Sequence, residues 1–195
     1  MKICYLLASL LLLTGCGMLQ PVRDLSVHHL LDPLVPDRAL TAVVPAIAIN
    51  RPALPGYLDR LQLVTRAGGE LVLSDHDLWA ESLSAAIARV TASNLSRLTG
   101  SMNIQPVDSF ITLDYTTLLE IKVARFEPDS GNQMILQGTW KLQPVNGKES
   151  HNHYFHIAVP VASVPDLVTG RVTAMNQALE RLARQIAQAA VAGSR

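Results

Sequence analysis

The sequence predicts an α+β fold, a mostly antiparallel sheet with two amphipathic helices packed on one face, and three observations carry that reading. From Thr112 to Phe126 the chain alternates with period two. Leu113, Tyr115, Thr117, Leu119, Ile121 and Val123 share one face, and Asp114, Thr116, Glu120 and Lys122 lie mainly on the other, as in a strand half buried and half wet. Two more alternating runs come after it across tight turns. Two other segments carry apolar residues at three- and four-residue steps, the mark of amphipathic helices. The order strands, helix, strand meander, helix suits a layer of helices over one sheet face.

In chain order, Leu25 to Leu31 can start a strand, and Pro33, Pro36, Pro45, Pro52 and Pro55 break up the next stretch of chain. Between these breaks, Val43 to Ile49 reads as a strand at an edge, because Pro45 cannot donate a ladder hydrogen bond. The runs Leu61–Thr65 and Glu70–Ser74 flank Ala67-Gly68-Gly69 and predict a hairpin. A helix is expected from near Asp77, where Ser74, Asp75 and Asp77 offer capping oxygens. Trp79, Leu83, Ala86, Ile87, Val90 and Leu98 form its apolar face, and Thr99-Gly100-Ser101 stops it, with Gly100 suited to the left-handed conformation. After the central strand, Pro128–Gly131 turns the chain. Met134, Leu136, Gly138, Trp140 and Leu142 then share one face of a second strand. Asn146-Gly147 is a hairpin turn, and a third strand from about Glu149 to Val161 completes an antiparallel meander. Pro165-Asp166 opens the last helix, whose Val168, Val172, Met175, Leu179, Leu182 and Ile186 recur at steps of four and three. That stripe packs either on the meander or, as a coiled-coil seam, on a neighbour.

The chain's 16 Lys and Arg balance its 16 Asp and Glu, which leaves no electrostatic footprint for nucleic acid. The chain is long enough for one domain with a hydrophobic core. Its start has a different character. Met1-Lys2 precedes an apolar run from Ile3 to Leu13, and Leu13-Thr14-Gly15-Cys16 ends it. A charged start, a short apolar stretch and small residues before a cut describe a secretory signal peptide. The run falls short of the ~20 apolar residues that span a bilayer. The tetrad resembles the lipobox of bacterial lipoproteins. That resemblance implies cleavage before Cys16, a diacylglycerol on its thiol and an acyl group on its new amine. Several chains are what stable anchoring requires, since one acyl chain holds only marginally. Gly17 stands after the cysteine in place of the family's common inner-membrane retention signal, an Asp, which favours the outer membrane. The expected organisation is a signal peptide over 1–15, a lipidated linker over 16–24 and a single α+β domain over 25–195. Of the two cysteines, Cys4 leaves with the signal peptide, so no structural disulfide is expected.

No nucleophile elbow, His-Glu-x-x-His, phosphate-cradling loop or dinucleotide motif occurs, and no catalytic residue is assigned. His151 and His153 share a strand face but lack the third ligand that zinc needs, since His156 points the other way. His28 and His29 would point to opposite faces of an extended segment. His76, beside Asp75 and Asp77, fits capping or solvation. No metal site and no cofactor is therefore expected. Asp59, Arg60 and Arg66 around the first hairpin read as a polar contact surface or as a solvated turn. Trp79 reads as core or as an interface anchor.

Tyr57-Leu58-Asp59-Arg60-Leu61-Gln62-Leu63-Val64-Thr65-Arg66 is similar to the Tyr-Leu-Asp-Arg-Pro-Gln-Ile-Val-Thr-Arg stretch of the ABC-type transport auxiliary lipoproteins, the PqiC group. Leu78-Trp79-Ala80-Glu81-Ser82-Leu83 resembles that family's Arg-Trp-Ala-Glu-Pro-Leu, again before a helix reaching Asn94-Leu95. Leu61, Leu78 and Ser82 depart from the family pattern, and proline to leucine at Leu61 restores a backbone donor. The resemblance implies a non-enzymatic component of a lipid-transport system, acting beside MCE-domain proteins, permeases and an ATPase that hydrolyses the nucleotide. It implies an MCE-domain protein as partner, and the expected docking surface includes the Tyr57–Arg66 segment, with homo-oligomerisation as a further option. The alternatives are a structural envelope lipoprotein that assists another outer-membrane machine, and a lipoprotein hydrolase.

Overall fold

Period-two alternation forms the three long strands of the predicted meander, but the first starts at Thr117, with Asp114 to Thr116 outside it, the third starts at His153, and their neighbours form two sheets. The computed structural model describes residues 23–35, 40, 43–109, 114–147, 150–163 and 165–193. Cys16 and the predicted signal peptide lie outside these residues, as do Thr112, Leu113 and Glu149 of the predicted strands. In chain order the elements are β1 (Val27–His29), β2 (Ile47–Ile49), β3 (Gln62–Ala67), β4 (Glu70–Trp79), α1 (Leu83–Thr99), β5 (Ile104–Pro106), β6 (Thr117–Pro128), β7 (Gln133–Pro144), β8 (His153–Pro160) and α2 (Leu167–Gly193). A three-stranded sheet has the order β1-β4-β3, and a five-stranded sheet has the order β5-β2-β6-β7-β8.

The fold is α+β as expected, but its sheets are mixed and not mostly antiparallel. β6, β7 and β8 form the predicted antiparallel meander. β2, however, runs parallel to both β5 and β6, and β1 runs parallel to β4. Each of the parallel strands β1, β2 and β5 is three residues long, too short for alternation to declare a partner. Their partners also lie far along the chain, as Ile47 opposite Thr117 shows. The predicted strand over Val43 to Ile49 shrinks to β2 and sits between two neighbours, not at an edge. Pro45 falls before it, so the ladder loses no donor.

The helix expected from Asp77 begins six residues later, at Leu83. The stretch up to Trp79 belongs to β4, where Asp77–Trp79 pair with Val27–His29. Ser74 and Asp77, read as capping residues, bond each other within the strand. The helix cap is Ser82, whose side chain accepts from the Ala85 N–H. Gly100 ends α1 in the left-handed conformation, φ 74°, and its N–H donates to the Ser96 carbonyl.

The core lies between the helices and one face of the five-stranded sheet. Leu119, Ile121, Val123, Leu136, Phe155 and Ile157 supply the sheet side. The α2 stripe Met175, Leu179, Leu182 and Ile186 is buried within its own chain, against β7, β8 and α1. Gly138 sits opposite Val123 and Phe155, and a methyl group there would collide with the Lys122 carbonyl and the Phe155 ring. Beyond β1 the chain is clamped to both helices. Asn176 Oδ1 of α2 accepts from the Asp32 N–H, Asn94 Oδ1 of α1 accepts from the Leu34 N–H, each at 3.0 Å, and Arg89 donates to the Leu31 carbonyl.

Candidate functional site

The ladder register of β6 shifts between Val123 and Arg125. Such a bulge re-aims the side chains beyond it. Phe126 then pairs with Leu136 in the core, and Glu127 comes opposite Ile135 with no solvent exposure at all. A lone carboxylate buried this way would be costly. This one is surrounded by donors. Oε1 accepts from Arg66 Nε and Arg125 Nε, both at 2.9 Å, while Oε2 accepts from the Tyr57 hydroxyl at 3.0 Å and the Phe126 N–H at 2.9 Å. The Arg66 guanidinium also lies 5.6 Å from the centre of the Tyr57 ring, within cation–π range. Burial pushes the Glu127 carboxyl upward, but the donated hydrogen bonds outweigh it and hold the group below its ordinary value. Burial and the neighbouring carboxylate push the Tyr57 phenol up.

Of the residues singled out in sequence, Tyr57 and Arg66 meet in this network, which ties the start of the hairpin unit to β6. Asp59 is exposed, and Arg60 is half-buried with an Nε that has no hydrogen-bond partner. Leu61 beside them is 54% exposed. Trp79 is 4% exposed, at the end of β4 in the core. Cys16 is outside the described residues. Sequence reasoning missed Glu127 and Arg125. Their signal was the break in alternation at Arg125-Phe126-Glu127, where two charges flank a core phenylalanine at the end of an otherwise regular strand.

Among the histidines, His29 Nε2 pairs with Asp77 Oδ1 at 2.9 Å across the β1–β4 ladder. His153 stacks on Trp140 with ring centres 4.2 Å apart. Among the described residues no cluster of three or more His, Cys, Asp or Glu could hold a metal ion. No helix among them is long and apolar enough to cross a membrane.

The site thus has two ends. At the base of the β3–β4 hairpin, Asp59, Arg60 and Leu61 offer a charged and apolar contact surface braced by the buried Glu127. At the other end, β4 carries Leu71, Val72 and Leu73, 39%, 52% and 38% exposed. Neither end presents a nucleophile paired with a base.

A family model described as "ABC-type transport auxiliary lipoprotein component" matches residues 29–187. The fold is similar to that of a crystal structure described only as an uncharacterized protein, with a TM-score of 0.67 and 18% identity over 84% of this chain and 97% of that one. It is also similar to a Xanthomonas campestris protein, with a TM-score of 0.64 and 18% identity over 85% of this chain and 97% of that one. At such identities the two structures speak for the fold alone. Comparison with curated proteins finds no match.

Proposed function

The chain belongs to the ABC-type transport auxiliary lipoproteins, and from that membership we propose that it is a non-catalytic outer-membrane lipoprotein of an MCE-type intermembrane lipid-transport system. In this reading Cys16 carries the lipid, the domain faces the periplasm, and the protein docks or stabilises the periplasmic MCE assembly. ATP hydrolysis belongs to a partner. The observation that carries the proposal is the family match, which runs from the last residue of β1 into α2 and so takes in both sheets and both helices.

The choice of docking surface comes from the brace under it. Tyr57 gives its hydroxyl and Arg66 its Nε to Glu127. The groups left to meet a partner in that segment are Asp59, Arg60 and Leu61. An exposed leucine flanked by charges on a fixed hairpin base suits an interface with an apolar centre and polar rim.

The test is a crosslinking pull-down of the lipidated protein from envelopes, read by mass spectrometry. Recovery of an MCE-domain protein, with crosslinks concentrated near Asp59 and lost in Asp59→Lys, supports the proposal. Recovery of a different envelope machine would sink it and move the function to assistance of that machine.

A further inference from the structure

The exposed apolar residues Leu71, Val72 and Leu73 lie in the outer half of β4, next to the Gly68-Gly69 turn. Both faces of the hairpin show apolar surface there. Leu71 and Leu73 pair with Arg66 and Val64 and share their face, while Val72 pairs with Thr65 and shares the other. On the first face Arg66 reaches inward to Glu127 and Val64 packs on the core, while Leu71 and Leu73 beside them keep part of their surface exposed, as Val72 does on the other face.

The direction of β1 decides what covers it. β1 is parallel to β4, with Val27 opposite Asp77 and His29 opposite Trp79. Traced backward from β1, the chain consequently runs beside β4 toward the hairpin turn and away from Trp79. Leu25, between Asp24 and β1, is 57% exposed. Six residues, 17–22, separate Arg23 from Cys16. Seven extended steps reach at most about 25 Å. From Asp77 back to Glu70, β4 itself spans about 23 Å at a strand's rise per residue. A tether of about the hairpin's own length, leaving β1 on the hairpin-turn side, is long enough for a lipid on Cys16 to reach the plane of the turn.

We propose that the outer half of the β3–β4 hairpin, with Leu71, Val72 and Leu73, is a second membrane contact that rests on the bilayer into which the Cys16 lipid inserts. This contact presupposes the lipoprotein reading of Cys16. Three exposed branched side chains add apolar surface to the anchor. Glu70 at the turn keeps the contact at headgroup depth, because a carboxylate is costly to carry into hydrocarbon. With the turn on the membrane, the hairpin base with Asp59 and Leu61 faces away from it, toward the periplasm where a partner would stand.

Cysteine labelling tests this cleanly, since the mature chain's one native cysteine is Cys16. An environment-sensitive fluorophore is placed on Val72→Cys and, as control, on Tyr154→Cys of β8, which is 65% exposed. The lipidated proteins are reconstituted in phosphatidylethanolamine–phosphatidylglycerol vesicles with or without nitroxide-labelled lipid. The expected result is a blue shift and loss of most emission to the nitroxide for the probe at 72, with the probe at 154 unchanged. A probe at 72 that stays unquenched on protein floating with the vesicles overturns the proposal. Mass spectrometry of Cys16 tests the lipoprotein reading separately. If it finds no acyl chain, the same probes on a chain held to nickel-lipid vesicles by six histidines at residue 16 decide the hairpin contact on the same criterion.

Discussion

Tyr57 donates its hydroxyl at 3.0 Å to Glu127, a carboxylate with no exposure to solvent, across 70 residues of chain. The contact joins the segment leading into β3 to the bulged end of β6. It makes the Tyr57–Arg66 stretch a brace as well as a surface.

Glu127→Gln removes the charge that Arg66 and Arg125 share and leaves both guanidiniums facing a neutral amide. Removing one partner of a buried ion pair is strongly destabilising, and a loss of about 3 kcal/mol is expected here. Urea unfolding followed by circular dichroism measures it. A loss below about 0.5 kcal/mol, the range of ordinary surface substitutions, would show the network to be dispensable.

Acid should unfold the protein in part through the same group. Glu127 has its native pKa below its ordinary value of 4.5, so the unfolded chain binds the proton more readily than the folded one. The stability it contributes is fully present above that ordinary value and is lost as pH falls through the lower folded one. Melting temperature should therefore decline on acidification below about pH 4.5, and decline less steeply in Glu127→Gln. Equal slopes for the two proteins would remove Glu127 from the account.

Tyr57→Phe keeps the ring under Arg66 and deletes only the hydroxyl. A hydrogen bond to a charged group contributes about 2 kcal/mol, and a loss of that size is expected in urea unfolding. Stability equal to the parent protein would mean that the remaining three donors satisfy the carboxylate without it.

Gly138→Ala places a methyl group against the Lys122 carbonyl and the Phe155 ring. Because one obstacle is backbone in the neighbouring strand, the sheet itself must shift. Destabilisation of about 2 kcal/mol or more is expected, as for an overpacked core. Phe155→Leu should not rescue it, because the Lys122 carbonyl remains. Rescue in a thermal melt would locate the clash in the ring alone.

Much of this fold was legible in sequence because its long elements are regular. The β6–β8 meander, the Gly68-Gly69 hairpin, the Gly100 cap and the α2 stripe all announce themselves through period or turn chemistry. What stayed hidden is non-local. The three-residue strands β1, β2 and β5 have too few side chains to show a period, so the parallel pairings and the second sheet could not be read. Asp77 and Trp79 looked helical because apolar spacing of four residues continues from Trp79 to Leu83, yet pairing with β1 draws them into β4. The site was half visible. Tyr57 and Arg66 stood out, while Glu127, their common partner, required knowing that a bulge comes after Val123.

The parallel register of β1 also sets how the domain bears mechanical load. A pull arriving through Arg23 acts along the axis of β1, so its ladder to β4 is strained in shear, with the hydrogen bonds stretched together and none peeled off singly. Behind that ladder stand Asn176 and Asn94, gripping the Asp32 and Leu34 amides from the two helices. Tension on the tether is thereby shared between the end of β4 and the two helices, and reaches the meander only through them.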